Sequence, residues 1–159
     1  MKNPFFLKVG QYKGKSIEQL VFDAMDNPRA KLKSLDFLVG LTKSSHPGVS
    51  ARAKEVLDRA GKLRIVGVCS DCGKRAKFIS VKWGNDGVAF DGLRCEGCQR
   101  SNHPGYSSFP LSIYSLRYFS RGTDKRQFMS ELRQACGLPA FGWVDPYQAL
   151  RALGVPILL

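Results

Sequence analysis

Four cysteines, arranged as Cys69-Ser70-Asp71-Cys72 and Cys95-Glu96-Gly97-Cys98 with residues 73–94 between them, constrain this chain more than any other feature. A Cys-x-x-Cys turn presents two thiolates a few ångströms apart, and two such turns complete the tetrahedral sulfur shell that zinc prefers. The spacing therefore predicts a Zn2+ site with Cys69, Cys72, Cys95 and Cys98 as ligands. A closed four-thiolate shell has no open position for water or substrate, so the expected role of the metal is structural. Gly73 and Gly97 suit the tight turns, where the backbone is often driven to positive φ. Two disulfides would also use four cysteines. The chain has a fifth, however, and its start holds only the short apolar cluster Phe5-Phe6-Leu7 rather than a secretory segment, so a reducing, cytoplasmic setting is expected. A redox dithiol of the thioredoxin kind would need a βαβ context, and it leaves the second pair unexplained.

Between the two pairs the pattern predicts a hairpin. Residues 75–83 read as a strand, Gly84-Asn85-Asp86-Gly87 as the turn and residues 88–93 as the returning strand. Strand alternation places Ile79, Val81 and Trp83 on one face and Phe78, Ser80 and Lys82 on the other. Residues 63–68 are the natural third strand. Over residues 63–100 this layout resembles a zinc ribbon, in which two cysteine turns clamp the open end of a hairpin.

The remainder must hold its own core, since a ribbon alone buries too little to fold without its ion. Twenty-five Lys and Arg against thirteen Asp and Glu give a net charge of +12, which points to a polyanionic partner, foremost nucleic acid (DNA or RNA). Residues 1–63 carry twelve basic and six acidic groups, so half of the excess precedes the ribbon. No run of eighteen apolar residues exists, and no helical pattern pairs a basic face with a broad apolar one, so no membrane partner is expected.

In the first third, Leu7 and Val9 alternate with Lys8, Gly10 and Gly14 allow turns, and Ser16 is placed to cap a helix running to about Asp26. This is a hairpin feeding a helix. Gly10, Tyr12, Lys13, Gly14, Lys15 and Ser16 make the stretch resemble the small module at the C-terminal end of exonuclease-X-like proteins, with Gln11 in place of the usual lysine. The resemblance implies company with nucleic-acid enzymes and carries over no catalytic residue. Amphipathic helices are expected at 29–42, with Leu32, Leu35, Leu38 and Val39 inward, and at 51–60, capped by Ser50 and stopped by Gly61. Gly61-Lys62 leads straight on, so a continuous body without a flexible linker is expected.

Both histidines sit in related heptapeptides, Ser44-Ser45-His46-Pro47-Gly48-Val49-Ser50 and Ser101-Asn102-His103-Pro104-Gly105-Tyr106-Ser107, which agree at five of seven positions. Pro-Gly suits the centre of a type II turn, with the last serine leading into a helix. Nucleic-acid contact or catalysis by the pair, or His103 as a metal ligand, are the lesser alternatives.

Residues 110–120 read as an aromatic-rich helix, and residues 124–136 as another, capped by Thr123, with Phe128, Met129, Leu132 and Cys136 inward. Asp145-Pro146 opens a last short helix that Gly154 stops. The expected fold is α+β: a hairpin with a small helical unit at 1–62, a zinc ribbon at 63–106, and a C-terminal helical segment at 107–159 packed on the ribbon. The expected function is non-enzymatic nucleic-acid binding, as a small subunit of a replication, transcription or CRISPR effector assembly with further protein partners. A protein-protein adaptor and a nuclease-associated factor are the alternatives. Phosphate contacts are expected from Lys13, Lys15, Lys74, Arg75, Lys77, Lys82, Arg94, Arg117, Arg121, Lys125 and Arg126, with Phe78 or Trp83 available for stacking. An enzyme would need converging carboxylates, and the thirteen here are scattered without a motif.

Overall fold

The structure, a computed structural model, describes residues 3–23, 34–63, 65, 67–119 and 121–154, without the side chains of Ser34 and Arg117. In chain order its elements are helices α1 (Gln19–Phe22), α2 (Ser34–Leu41) and α3 (Pro47–Gly61), strands β1 (Gly67–Val68), β2 (Arg75–Ala76), β3 (Phe78–Gly84), β4 (Gly87–Arg94) and β5 (Tyr106–Pro110), and helices α4 (Gly122–Ala135) and α5 (Pro146–Ala152). Short 3-10 turns lie at Glu96–Cys98 and Ile113–Tyr118. The fold is α+β, as expected.

The chain divides into two compact units. Met1–Leu63 joins Gly137–Leu159, and Arg64–Cys136 forms the other. The segment expected at 107–159 is thus split, because its last part completes the first unit's core: Gln19 Nε2 donates to Val144 O at 2.6 Å, and Ala149 and Leu150 are fully buried.

In the first unit the N-terminal hairpin forms. Leu7 N donates to Lys15 O at 2.9 Å, Ile17 N to Phe5 O at 2.9 Å, and Gly14 N to Leu7 O at 2.9 Å. Gly10 and Gly14 both take φ 86°, which only glycine adopts readily. Tyr12 folds back onto Phe37, ring centroids 4.9 Å apart. Ser16 and Gln19 form a reciprocal capping box, Gln19 N donating to Ser16 Oγ and Ser16 N to Gln19 Oε1. The helix beyond this box is one turn, α1, with Asp23 already outside it, and residues 24–33 lie outside the described residues. Of the helix expected at 29–42, the part 34–41 is α2.

The helix α3 starts earlier than expected. His46 is its N-cap, with Nδ1 accepting from Val49 N at 3.4 Å, and Pro47 opens the first turn, where its missing N–H costs nothing. Ser50 lies inside the helix and donates to Thr42 O at 2.6 Å. The second heptapeptide does form the expected turn: Tyr106 N donates to His103 O at 3.1 Å, and Gly105 takes φ 78°. Ser107 then enters a strand, not a helix.

In the second unit β3 and β4 are the expected hairpin, closed by Asn85-Asp86, with Gly84 opposite Gly87. A bulge beyond Ser80 leaves Asp91 without a partner in the β3–β4 register. The third strand differs from expectation. Among the described residues of 63–68, Gly67–Val68 form β1, which pairs with β2 in a separate two-stranded ladder, whereas β5 lies along β3 in the order β4-β3-β5. Pro110 ends β5, a place where its missing N–H is tolerated, so the helix expected at 110–120 shrinks to the 3-10 turn capped by Ser112. Helix α4 begins at Gly122, one residue before Thr123, and packs Phe128 against Phe90 and Phe119 at 6.0 and 5.7 Å. Cys136 is its half-buried C-cap, with burial pushing the thiol up to about 11.

Candidate metal centre

The two cysteine turns are brought together by the sheet. Strand β1 delivers Cys69, whose N–H donates to Lys74 O at 2.7 Å while Gly73 N donates back to Cys69 O at 3.0 Å. Gly73 takes φ 73° to close this turn, as expected. Strand β4 delivers Cys95, after which a 3-10 turn carries Cys98 N to within 3.2 Å of Cys95 O. Gly97 does not take positive φ, and the chain leaves through extended Gln99 instead. Ser70 N donates to Leu93 O at 2.9 Å, locking the first turn to β4. This crossing is tight: a Cβ on Gly67 would lie 2.3 Å from Leu93 Cδ1, and one on Gly92 would lie 2.7 Å from Ser70 Oγ.

The result is a cluster in which the four sulfurs all lie within 4.8 Å of one another, with Cys72 and Cys95 at 3.6 Å. The 3.6 Å separation matches the edge of about 3.7 Å expected for sulfurs held about 2.3 Å from a tetrahedral ion. Cys69 and Cys95 are buried, Cys98 is half-buried and Cys72 is exposed, so one side of the cluster opens to solvent. All five cysteines are free thiols, and His103 is not part of the cluster. Burial pushes the Cys69 thiol up, but backbone N–H groups of Cys95, Asp71 and Cys72 outweigh it and bring it down to about 6. Cys95 is likewise lowered, its burial outweighed by the Cys72 and Cys98 side chains and by backbone N–H groups of Cys98 and Gly97. Cys98, surrounded by Cys72, Cys95 and Cys69, is pushed up to about 12. Four thiolates at this separation repel strongly, so the set as a whole ionises only around a cation, and its donor chemistry fits a soft or borderline divalent metal.

These ionisation states set a proton count. Metal uptake at pH 7.5 is expected to release fewer than four protons per ion, since Cys69 is already ionised above about 6, and apparent affinity should rise with pH as Cys98 gives up its proton. Calorimetric titration in buffers of different ionisation enthalpy measures that number.

No protein family, curated protein or solved structure matches the chain. The resemblance of residues 10–16 to exonuclease-X-like proteins therefore stands on those residues alone.

The expected basic residues are placed unequally. Lys74, Arg75 and Lys77 surround a shallow depression beside Cys72, Cys95 and Cys98. Lys77 pairs with Glu96 at 3.2 Å, whereas Lys74 and Arg75 are exposed without an acidic partner among the described residues. Lys82 is exposed on β3, with its ammonium 5.8 Å from the Tyr106 ring centroid. Arg94 departs from expectation: it is 3 % exposed and held by Asp91 and Asp71, so it is a structural cation rather than a phosphate contact. Arg121 pairs with Asp86 at 3.2 Å, Arg126 is exposed and Lys125 half-buried. The Arg117 side chain lies outside the described residues. In the other unit Lys13 is exposed and Lys15 pairs with Asp23.

Arg100 escaped notice in the sequence. It reaches Asp71 at 3.5 Å and Asp91 at 3.4 Å, and its guanidinium lies 5.6 Å from the Tyr106 ring centroid. Its position two residues past Cys98, on the chain leaving the metal turn, was the available signal.

Proposed function

We propose that the four-cysteine cluster holds Zn2+ and that the unit it stabilises binds nucleic acid, acting by binding rather than catalysis within a larger nucleic-acid-processing assembly. The observation that carries the reading is the exposed pair Lys74 and Arg75, free of acidic partners among the described residues and fixed on the rigid turn beside the metal cluster. Cations held by a metal-locked turn meet phosphates with little loss of chain freedom. The net charge of +12 favours the same partner, and counterion release makes such contacts salt-dependent.

The test is binding across a salt series. The affinity for nucleic acid should fall steeply with salt, and Lys74→Ala with Arg75→Ala should flatten the log-log slope by roughly 1 to 2 units. A slope and affinity unchanged by the double variant would leave these cations as solvated surface.

A second reading has support in the other unit, where Phe141, Trp143 and Tyr147 are all exposed within seven residues. Large aromatics in the open favour a protein partner, which makes an adaptor role compatible with the first reading.

A further inference from the structure

We propose that the end of the three-stranded sheet carrying Trp83 and Lys82 is a binding site for single-stranded nucleic acid, in which the indole ring stacks on a base and Lys82, held over Tyr106, meets an adjoining phosphate. This rests on the nucleic-acid reading above and adds the strandedness and the place.

Trp83 is 51 % exposed, which for so large an apolar side chain calls for a reason. It is also held: its indole Nε1 donates to Ser107 Oγ on β5 at 2.9 Å, and its backbone N–H donates to Gly105 O at 2.7 Å. A tryptophan whose polar edge is tied down and whose ring is half open to water is a stacking surface with little conformational freedom left to lose. Next to it, Lys82 lies opposite Tyr106 in the β3–β5 register. Tyr106 is half-buried, and the Lys82 ammonium and Arg100 guanidinium sit 5.8 and 5.6 Å from its ring centroid. Both cations lie over the ring, and Arg100 is also paired with Asp71 and Asp91, so Tyr106 holds the exposed Lys82 in place and Lys82 is the cation open to an anion. Lys82 and Trp83 point to opposite faces of the strand, so the platform wraps the sheet end instead of forming a flat wall. A flexible single strand can track such an edge with its bases turned out, whereas a duplex keeps its bases stacked and offers only its phosphates and groove edges.

The experiment uses the full metal-loaded chain carrying Trp143→Phe, which leaves Trp83 as the sole tryptophan. It is titrated at fixed salt with oligo-thymidylate of about 12 nucleotides and with a duplex of the same length. Single strand should quench Trp83 fluorescence and bind more tightly than duplex. In the Trp143→Phe background, with binding measured by anisotropy of a labelled strand, Trp83→Ala should weaken single-strand binding at least about fivefold and leave duplex binding within about twofold. Trp83→Phe should recover most of the loss. Metal content and circular dichroism confirm that each variant is folded. Duplex binding equal to or tighter than single-strand binding, or single-strand binding indifferent to Trp83→Ala, overturns this site while leaving nucleic-acid binding by the basic surface in place. Absence of binding to either oligonucleotide overturns both.

Discussion

Stripping the metal from the cysteine cluster is expected to unfold Arg64–Cys136 while Met1–Leu63 with Gly137–Leu159 stays folded. The unit of the cysteine cluster is expected to depend on an ion for a geometric reason. Strands β1 and β2 are two residues each, and two cysteine turns occupy the end of the sheet where further apolar packing would otherwise be. Four-thiolate zinc binding contributes on the order of 10 kcal/mol or more, as large as the whole stability of an ordinary domain. The other unit holds a core of its own, with Ile17, Leu20, Val21, Phe22, Leu38, Val56 and Leu150 all fully buried and no ligand cysteine among them. The two tryptophans separate the outcomes, because Trp83 reports on one unit and Trp143 on the other. Chelation should shift Trp83 emission and remove most of the sheet signal while Trp143 is unchanged. Cys95→Ser should reproduce the loss in the absence of chelator, since a buried ligand is removed, whereas Cys136→Ala should retain full metal content. A chain that purifies without metal and melts at the same temperature with or without chelator would refute the metal-site assignment.

That the metal cluster was legible in the sequence while its surroundings were not has a physical cause. Ligand spacing is a local property, because a Cys-x-x-Cys turn positions both sulfurs whatever surrounds it. The hairpin is local too: Asn85-Asp86 turn the chain without positive φ, and Gly87 supplies the φ of 107° with which it enters β4. The third strand is decided by competition between distant segments for the free edge of β3. Tyr106–Pro110 wins that edge because the Pro104-Gly105 turn aims it there, a signal present in the letters but attached to the wrong element. The two His-Pro-Gly segments show the limit most directly. The same tripeptide opens α3 at His46 and turns the chain into β5 at His103, because the downstream residues differ: an alanine-containing amphipathic run in one case, Tyr-Ser-Ser-Phe alternation in the other. Reassignment of residues 137–159 to the first unit rests on contacts more than a hundred residues apart in sequence, such as Gln19 with Val144, which no local pattern encodes.

Arg94→Ala is expected to destabilise the unit of the cysteine cluster by about 1–3 kcal/mol, the cost of leaving the acceptors of its buried guanidinium unpaired, since Asp71 and Asp91 keep Arg100, and to weaken metal binding with it. From sequence this arginine counts as one more surface cation next to a ligand. In the fold its side chain turns inward beside Cys95. Nη1 donates to Leu93 O at 3.2 Å, Nη2 donates to Asp91 O at 2.8 Å and pairs with Asp91 Oδ2 at 3.0 Å, and Nε lies 3.4 Å from Asp71 Oδ2. Asp71 sits between Cys69 and Cys72, while Asp91 is the bulged residue of β4, so one guanidinium ties the first cysteine turn to the strand that delivers the second. The bulge explains why the geometry is available, since it turns Asp91 and its carbonyl toward Arg94, and Gly92 at φ 119° leaves the space that the Nη1 group and Ser70 occupy. Arg94→Lys should fail to rescue, because a single ammonium cannot serve two carbonyls and two carboxylates at once. Arg100 touches the same two aspartates but is a third exposed and buries no comparable charge, so Arg100→Ala should shift the denaturant midpoint far less than Arg94→Ala. Denaturant midpoints for the three variants, with competitive metal titrations, give the comparison. An Arg94→Ala protein as stable and as tightly metal-bound as the parent would mean that the cysteine turns hold their register without it. The coupling is read from the Asp71→Asn, Arg94→Ala double variant: if the guanidinium acts by joining the two turns, the second replacement should add little to the first.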